Sequence, residues 1–277
     1  MIGHFDAGNA FTQFVHRPRG ISPECRILAH FANRADVIMT LVHCREQLAD
    51  FFRRVLQIGV EGDNTRVNAG LRYFSEKGDF DAYWLLNNDT EIEAGALTEL
   101  RKQSALQKGQ GLFSPVIRTS PQGKIWFAGG NINFFRMRTT HNDHFEGMSR
   151  YKTDFLTGCA LFIPKEALMT LGMLDERYFL YAEDAEYSLR ATRKGIPLFV
   201  VPESTVYHSE QSEENEEKLY WLVRSSAEFY LRESRGVVWP VVRVYYALRR
   251  VKNWFRLRYF PNHLAREIER AYTDVSL

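Results

Sequence analysis

The chain has 277 residues, enough for one large domain or for a domain with a small appendage. A hydrophobic share of 45% excludes a disordered chain, and a net charge of +2 excludes a protein that binds polyanions through bulk charge. The three cysteines, Cys25, Cys44 and Cys159, lie far apart without CxxC spacing, which argues against a disulfide framework or a zinc site and fits a reducing compartment.

Taken in chain order, the first thirty or so residues mix Gly, Pro, His and Arg without a clear period. Met1-Ile2-Gly3-His4 is not followed by the apolar stretch of a signal peptide, so none is expected. Asp36 to Cys44 reads as a buried strand, and Gln47 to Leu56 as a short helix with Leu48, Phe51, Phe52 and Val55 on one face. Asn68-Ala69-Gly70 precedes a helical pattern that runs through Glu76. Tyr83-Trp84-Leu85-Leu86 is a short apolar run that ends abruptly in polar residues, as a buried strand does when it delivers a loop to a site.

Gly95 to Gln107 reads as a helix with Leu97, Leu100 and Leu106 inward, and Gly111 to Ile117 as a strand. Ile125 to Arg138 reads as a strand pair turning at Gly129-Gly130. Phe155 to Pro164 is a further strand, and Lys165 to Leu171 a helix stopped by Gly172. Glu183 to Lys194 is a helix ended by Gly195. Pro197 to Val201 and Thr205 to His208 are short strands, and from there the pattern is helical, over Glu216 to Glu233 and Val237 to Tyr259. Alternating strands and helices predict an α/β domain with a mostly parallel mixed sheet, followed by C-terminal helices. Ligands of such sheets bind beyond the carboxyl ends of the strands, where Asp89 falls.

Three segments offer chemistry. Asn87-Asn88-Asp89-Thr90 supplies two amides and a carboxylate, oxygen ligands for Mg2+ or Mn2+; an Asx turn or helix N-cap explains the same residues. Glu183-Asp184 opens a helix, where the dipole favours carboxylates, and Asp184 can equally be a general base. Glu186 with Arg190 reads as an i,i+4 pair on a solvated face. His208, at a strand end, is either a structural hydrogen-bonder or a metal ligand.

These segments occur in a telling order. Asn87-Asn88-Asp89-Thr90 is followed by the block Thr157-Gly158-Cys159-Ala160-Leu161-Phe162-Ile163-Pro164. The run Leu174 to Asp184 comes next, and then Val201-Pro202-Glu203-Ser204-Thr205-Val206-Tyr207-His208. In this the chain resembles the family-2 glycosyltransferases, above all rhamnosyltransferase-like members that build bacterial surface polysaccharide. The resemblance covers roughly Gly62 to Ser212. It implies the A-type glycosyltransferase fold, Rossmann-like, over residues 1–212, with 1–61 atypical and 213–277 as a helical extension.

The resemblance also implies roles. Asp89 would bind the divalent metal, Mg2+ or Mn2+, on the diphosphate of a dTDP-, UDP- or GDP-linked sugar, with His208 as second metal ligand. Asn87 and Asn88 would contact donor or metal less directly. Asp184 would be the catalytic base of an inverting transfer, with Glu183 beside it. Gly158 would let donor and acceptor approach the backbone, and Gly62, Asn68 and Gly70 would stand in the family's Gly-rich loop on the donor side. The acceptor would be a growing glycan or lipid-linked glycan, and the setting the cytoplasm or the inner face of the membrane. A non-catalytic relative that binds glycan or a partner enzyme is the alternative.

The sequence departs from the family at its start. The family's opening strand of the type I-I-V-T-Y-N, and the V-D-N-x-S-x-D segment whose acids hold the nucleoside, have no clean counterpart. Val37 to Cys44 stands nearest the former.

Val237 to Phe260 carries Arg243, Arg249, Arg250, Lys252, Arg256 and Arg258 and no acid, interleaved with Trp239, Tyr245, Leu248, Val251, Trp254 and Phe255. A basic aromatic helix of this kind lies on an anionic membrane or packs on the domain with its arginines in solvent. No motif supports a nucleic-acid partner.

Overall fold

The computed structural model describes residues 25–32, 38–44, 55–60, 64–77, 80–209 and 216–275. Three strands, β1 (Cys25–Ala32), β2 (Ile38–Cys44) and β3 (Val55–Val60), precede helix α1 (Asn64–Lys77) and strand β4 (Ala82–Asn87). Next come β5 (Thr90–Ile92), α2 (Ala96–Leu106), β6 (Leu112–Thr119), β7 (Ile125–Phe127), β8 (Gly130–Asn133), β9 (Arg138–His141) and β10 (Tyr151–Thr153). The remainder is β11 (Ala160–Pro164), α3 (Lys165–Leu171), α4 (Glu183–Arg193), β12 (Leu198–His208), α5 (Glu216–Glu233), α6 (Val238–Tyr259) and α7 (His263–Thr273).

The central sheet is mixed, in the order β1-β2-β3-β4-β11-β6-β12-β10, with β5 on β12 and β7 on β6. Strands β3, β4, β6 and β12 point the same way, and β11 runs antiparallel to both neighbours, β4 and β6. Tyr83, Trp84, Leu85 and Leu86 in β4 are all buried, so the strand shows no alternation between a core face and a solvent face. Phe113 of β6 sits between Phe162 of β11, edge-on at 6.3 Å, and Phe199 of β12, stacked at 5.5 Å. Beyond β4, strands β1, β2 and β3 form an antiparallel meander.

Several boundaries differ from expectation. Val55 and Leu56 belong to strand β3, not to a helix, because β3 finds ladders on both sides, with β2 and β4; the rest of that expected helix lies outside the described residues. Leu106 is exposed, at the end of α2. Ile125–Phe127 and Gly130–Asn133 do not pair with each other: β7 joins β6, and β8 joins β9. The chain turns at Gly129 (φ 82°), and a side chain on Gly130 would strike the Thr140 carbonyl at 2.3 Å, which is why glycine stands there. The two expected C-terminal strands are one, β12, whose register on β6 slips between Val201 and Thr205. Pro202 lies in the slip, where no ladder donor is needed, and Ser204 there donates to the Ala96 carbonyl at 2.9 Å.

Glu186 and Arg190 are not a solvated pair. Glu186 is buried and receives two hydrogen bonds from Arg190, at 2.9 and 2.7 Å. Arg190 also donates to the carbonyls of Leu171 and Met173 at 2.8 and 3.0 Å, locking α4 to the end of α3. Burial still raises the Glu186 carboxyl above its ordinary value, with Arg190 pulling it down. Replacing Arg190 with leucine strands a buried carboxylate and two carbonyls. We expect a loss of about 3 kcal/mol in urea unfolding; a loss within error of zero would show the clamp to be dispensable.

Candidate active site

Asn87 ends β4, and the chain turns through Asn88 and Asp89, both exposed, into β5. Thr90 closes this turn by donating its hydroxyl to the Asn87 carbonyl at 2.6 Å. The turn and the metal-site readings of this segment are therefore compatible: the turn aims the side chains. Strand β5 then pairs antiparallel with the end of β12, setting Thr90 opposite His208. The Ser209 N–H donates to the Asp89 carbonyl at 2.9 Å.

That register brings His208 Nε2 to 3.2 Å from Asp89 Oδ1. The histidine is buried and the aspartate side chain is 42% exposed, so the pair stands at the rim of the sheet. Ligands about 2.1 Å from an octahedral Mg2+ stand about 3 Å apart along an edge, so the separation suits two ligands of one cation as well as a hydrogen bond. Nδ1 of His208 is buried without a hydrogen-bond partner. No group of three or more His, Cys, Asp or Glu side chains that could hold a metal occurs among the described residues. The residues thus fit a divalent cation that takes its other ligands from a bound diphosphate or water, and do not make a closed protein cage.

The second cluster sits across β11. The Asn87 N–H donates to the Cys159 carbonyl at 2.9 Å, which fixes the entry to β11 beside the exit of β4. One residue earlier, the Gly158 N–H donates to Asp184 Oδ2 at 3.1 Å, and the Ala185 N–H donates to Oδ1 at 2.8 Å. The Thr157 side chain also hydrogen-bonds Asp184. These donors favour the ionised form of Asp184, while burial works against it and on balance raises its carboxyl. Glu183 is likewise raised above the usual carboxylate range, first by burial and then by the charge of Asp184. Its Oε2 is buried with no hydrogen-bond partner. Gly158 leaves open the space beside both acids: a Cβ there would lie 3.7 Å from that of Asp184 and 3.9 Å from Glu183 Oε1.

The approach to this pair is strained. Tyr181 and Ala182 both adopt left-handed backbone, φ 66° and 67°, immediately before Glu183. Each such residue costs about 1–2 kcal/mol relative to right-handed backbone. The strain is held from outside: Ser225 of α5 donates to the Leu180 carbonyl at 2.7 Å, and Trp221 stacks on Phe179 at 4.4 Å. Strain of this kind gathers at functional sites.

Among the residues singled out from sequence, Asp89, His208 and Asn87 stand together, and Gly158, Glu183 and Asp184 form the adjoining cluster. Asn68 and Gly70 belong to neither. Both lie inside α1, not in a loop. The Asn68 side chain is buried and clamps Leu174, accepting from its N–H at 3.0 Å and donating to its carbonyl at 2.8 Å. Its role is to seat α1 against the chain leading to the acids. Gly62 lies outside the described residues. Neither Trp126 nor Thr157 is assigned a role by the sequence. The Trp126 ring lies 5.0 Å from that of His208 and 4.8 Å from that of His141. Thr157 was legible as part of the Thr157-Gly158 block, whereas nothing near Trp126 marks it.

No protein-family model and no curated protein matches the sequence. Among solved structures, the chain is similar to the crystal structure of GalNAc-T7 with UDP, GalNAc and Mn2+, at 15% identity and a TM-score of 0.46 over 66% of this chain and 41% of that chain. It is similar more distantly to A197 from STIV, at 15% identity and a TM-score of 0.33 over 52% of this chain and 66% of that one. The chain therefore spans less than half of the first protein's length.

Two measurements probe the acid cluster. A carboxyl raised on folding contributes stability that is full below its unfolded pKa and lost as pH rises through its folded value. Scanning calorimetry from mildly acidic to alkaline pH should thus find the native melting temperature falling more steeply than that of Glu183→Gln; parallel curves would contradict the buried, raised carboxyl. Ala182→Gly should raise stability by about 1 kcal/mol in urea unfolding by relieving the left-handed strain, and a loss of stability would show the strain is not there.

Proposed function

We propose that the protein is an inverting, metal-dependent glycosyltransferase of the A-type fold that moves a sugar from a nucleotide-sugar donor to a hydroxyl of a growing cell-surface glycan. The observation that carries this reading is the pair of carboxylate sites at one end of the sheet: Asp89 with His208, and Asp184 with Glu183 across the β11 entry. The sequence resemblance to family-2 enzymes, including rhamnosyltransferase-like members, points the same way.

Asp89 Oδ1 and His208 Nε2 would hold Mg2+ or Mn2+. Such a cation, when bound, neutralises the departing nucleoside diphosphate as a Lewis acid. Asn87 and Asn88 lie beside the aspartate on the same turn and offer amide groups to the donor. Asp184 takes the proton from the acceptor hydroxyl as that oxygen attacks the anomeric carbon and the bond to the diphosphate breaks. A single displacement inverts the configuration. The raised carboxyl brings the base closer to neutral pH, where proton transfer is most effective. Of the two acids, Asp184 is the one supplied with N–H donors, from Gly158 and Ala185, which suits it to act as the ionised base. Gly158, with no side chain, leaves room above both.

One observation favours the non-catalytic alternative. The antiparallel meander β1-β2-β3 stands where the family's parallel opening strands and nucleoside-binding acids belong. The donor pocket is either remodelled or lost.

The test is direct. The protein is incubated with Mn2+ or Mg2+ and a panel of UDP-, dTDP- and GDP-sugars, while nucleoside diphosphate release and calorimetric donor binding are followed. Release with one donor, abolished at least about a thousandfold in Asp184→Asn with donor binding kept, supports the assignment. Asp89→Ala and His208→Ala should weaken metal-dependent donor binding. Binding of no donor would favour the non-catalytic reading.

A further inference from the structure

Helix α6 has two apolar faces. On one, Val242, Tyr246 and Asn253 are buried against the rest of the protein. On the other, Val241, Val244, Leu248, Val251, Phe255 and Tyr259 are 41–64% exposed. At about 100° per residue, these six fall within an arc of about 80°, turned about 160° from the buried face. The stripe therefore points away from the protein along the helix's length.

The flanks of the stripe are basic. Lys252 and Arg256 stand on one side and Arg258 on the other, while Arg243 and Arg250 lie farther round toward the buried face, where Arg250 meets Glu269 of α7 at 3.8 Å; α6 itself contains no acidic residue. Trp254 is 57% exposed on the Arg258 side, and Trp239, 46% exposed, lies nearer the buried face. Arg243 lies over the Trp239 ring at 4.3 Å. Aromatic rings with a polar edge, and long basic side chains that bury their stems and keep their charge in water, are suited to the boundary between lipid headgroups and acyl chains. No helix among the described residues is long and apolar enough to cross a membrane.

We propose that this face of α6 docks on an anionic lipid bilayer, with the helix lying in the plane of the surface. The competing occupant is a second copy of the chain, since the three- and four-residue spacing of the stripe would also suit a helix pair. Charge decides between them. Two copies would bring Lys252, Arg256 and Arg258 together with no acid on α6 to answer them, whereas an anionic surface complements all three at once. The inference does not rest on the glycosyltransferase reading, because lipid binding is measured without donor or metal.

The full chain is sedimented with vesicles of phosphatidylcholine and phosphatidylglycerol in equal parts, and with vesicles of phosphatidylcholine alone. The expected result is binding to the first that weakens with added salt, and little binding to the second. The triple variant Leu248→Ser, Val251→Ser, Phe255→Ser should lower the partition at least about tenfold. Lys252→Gln, Arg256→Gln and Arg258→Gln should each lower it by about fivefold. Far-UV circular dichroism checks that the variants fold, and Phe255→Ser alone replaces the triple variant if that one does not. Binding to neither vesicle, equal binding to both, or binding untouched by these changes overturns the proposal. A dimer in sedimentation velocity that the serine changes dissociate, without vesicle binding, would assign the face to a second copy.

Discussion

The arrangement depends on one strand running against its neighbours. Because β11 is antiparallel to β4 and β6, its entry lies at the same sheet edge as their exits. The Asn87 N–H to Cys159 carbonyl bond is the local expression of that constraint. Strand β12, parallel to β6, ends there too and delivers His208. Segments separated by more than a hundred residues in sequence thus converge on one edge. A β11 running with β4 would carry Gly158 to the opposite edge, and Asp184 would lose the Gly158 N–H as a donor.

The two carboxylate clusters are built on different principles. Asp89 and His208 are placed by ladder register, with short strands and a hydroxyl-closed turn, and neither neighbouring backbone is left-handed. Asp184 and Glu183 are placed by a strained pair of residues that α5 holds from the far side through Ser225 and Trp221. The first cluster is exposed on its aspartate side, as suits a group that meets a hydrated ion. The second has an unsatisfied carboxylate oxygen in its interior, a high-energy arrangement that surrounding packing must support.

How much of this was legible in the sequence depends on the range over which each signal acts. Helices with clear stops, such as α3 before Gly172 and α5, match the periodicity, because capping and apolar spacing are local. Pairing is not local. Nothing in Ile125–Phe127 says that its partner is β6 and not β8, and nothing in Val201–Thr205 says that one strand passes through the proline. Glu186 and Arg190 have the spacing of a surface pair; only the carbonyls of Leu171 and Met173, brought by the turn after α3, make them a buried clamp. Asn68 shows the same limit. An Asn two residues before a Gly looks like a loop until its amide is seen bonded to Leu174. The candidate site residues stood out through the order of four blocks, whereas Trp126, whose ring meets that of His208, lies in none of them.

The bond from Ser225 to the Leu180 carbonyl bears on how the chain divides. The sequence resemblance stops near residue 212, which invites treating helices α5, α6 and α7 as an attachment. Yet Phe229 of α5 packs on Tyr178 and Phe134, and its neighbour Tyr230 meets the same phenylalanine edge-on. The apolar core runs without interruption from β4 to α7. The terminal helices therefore cannot be removed without disturbing the backbone that presents the acids. Whatever surface α6 meets, the helix that leads to it is the same one that braces the strained segment, so a load on the tail is transmitted to the acid cluster.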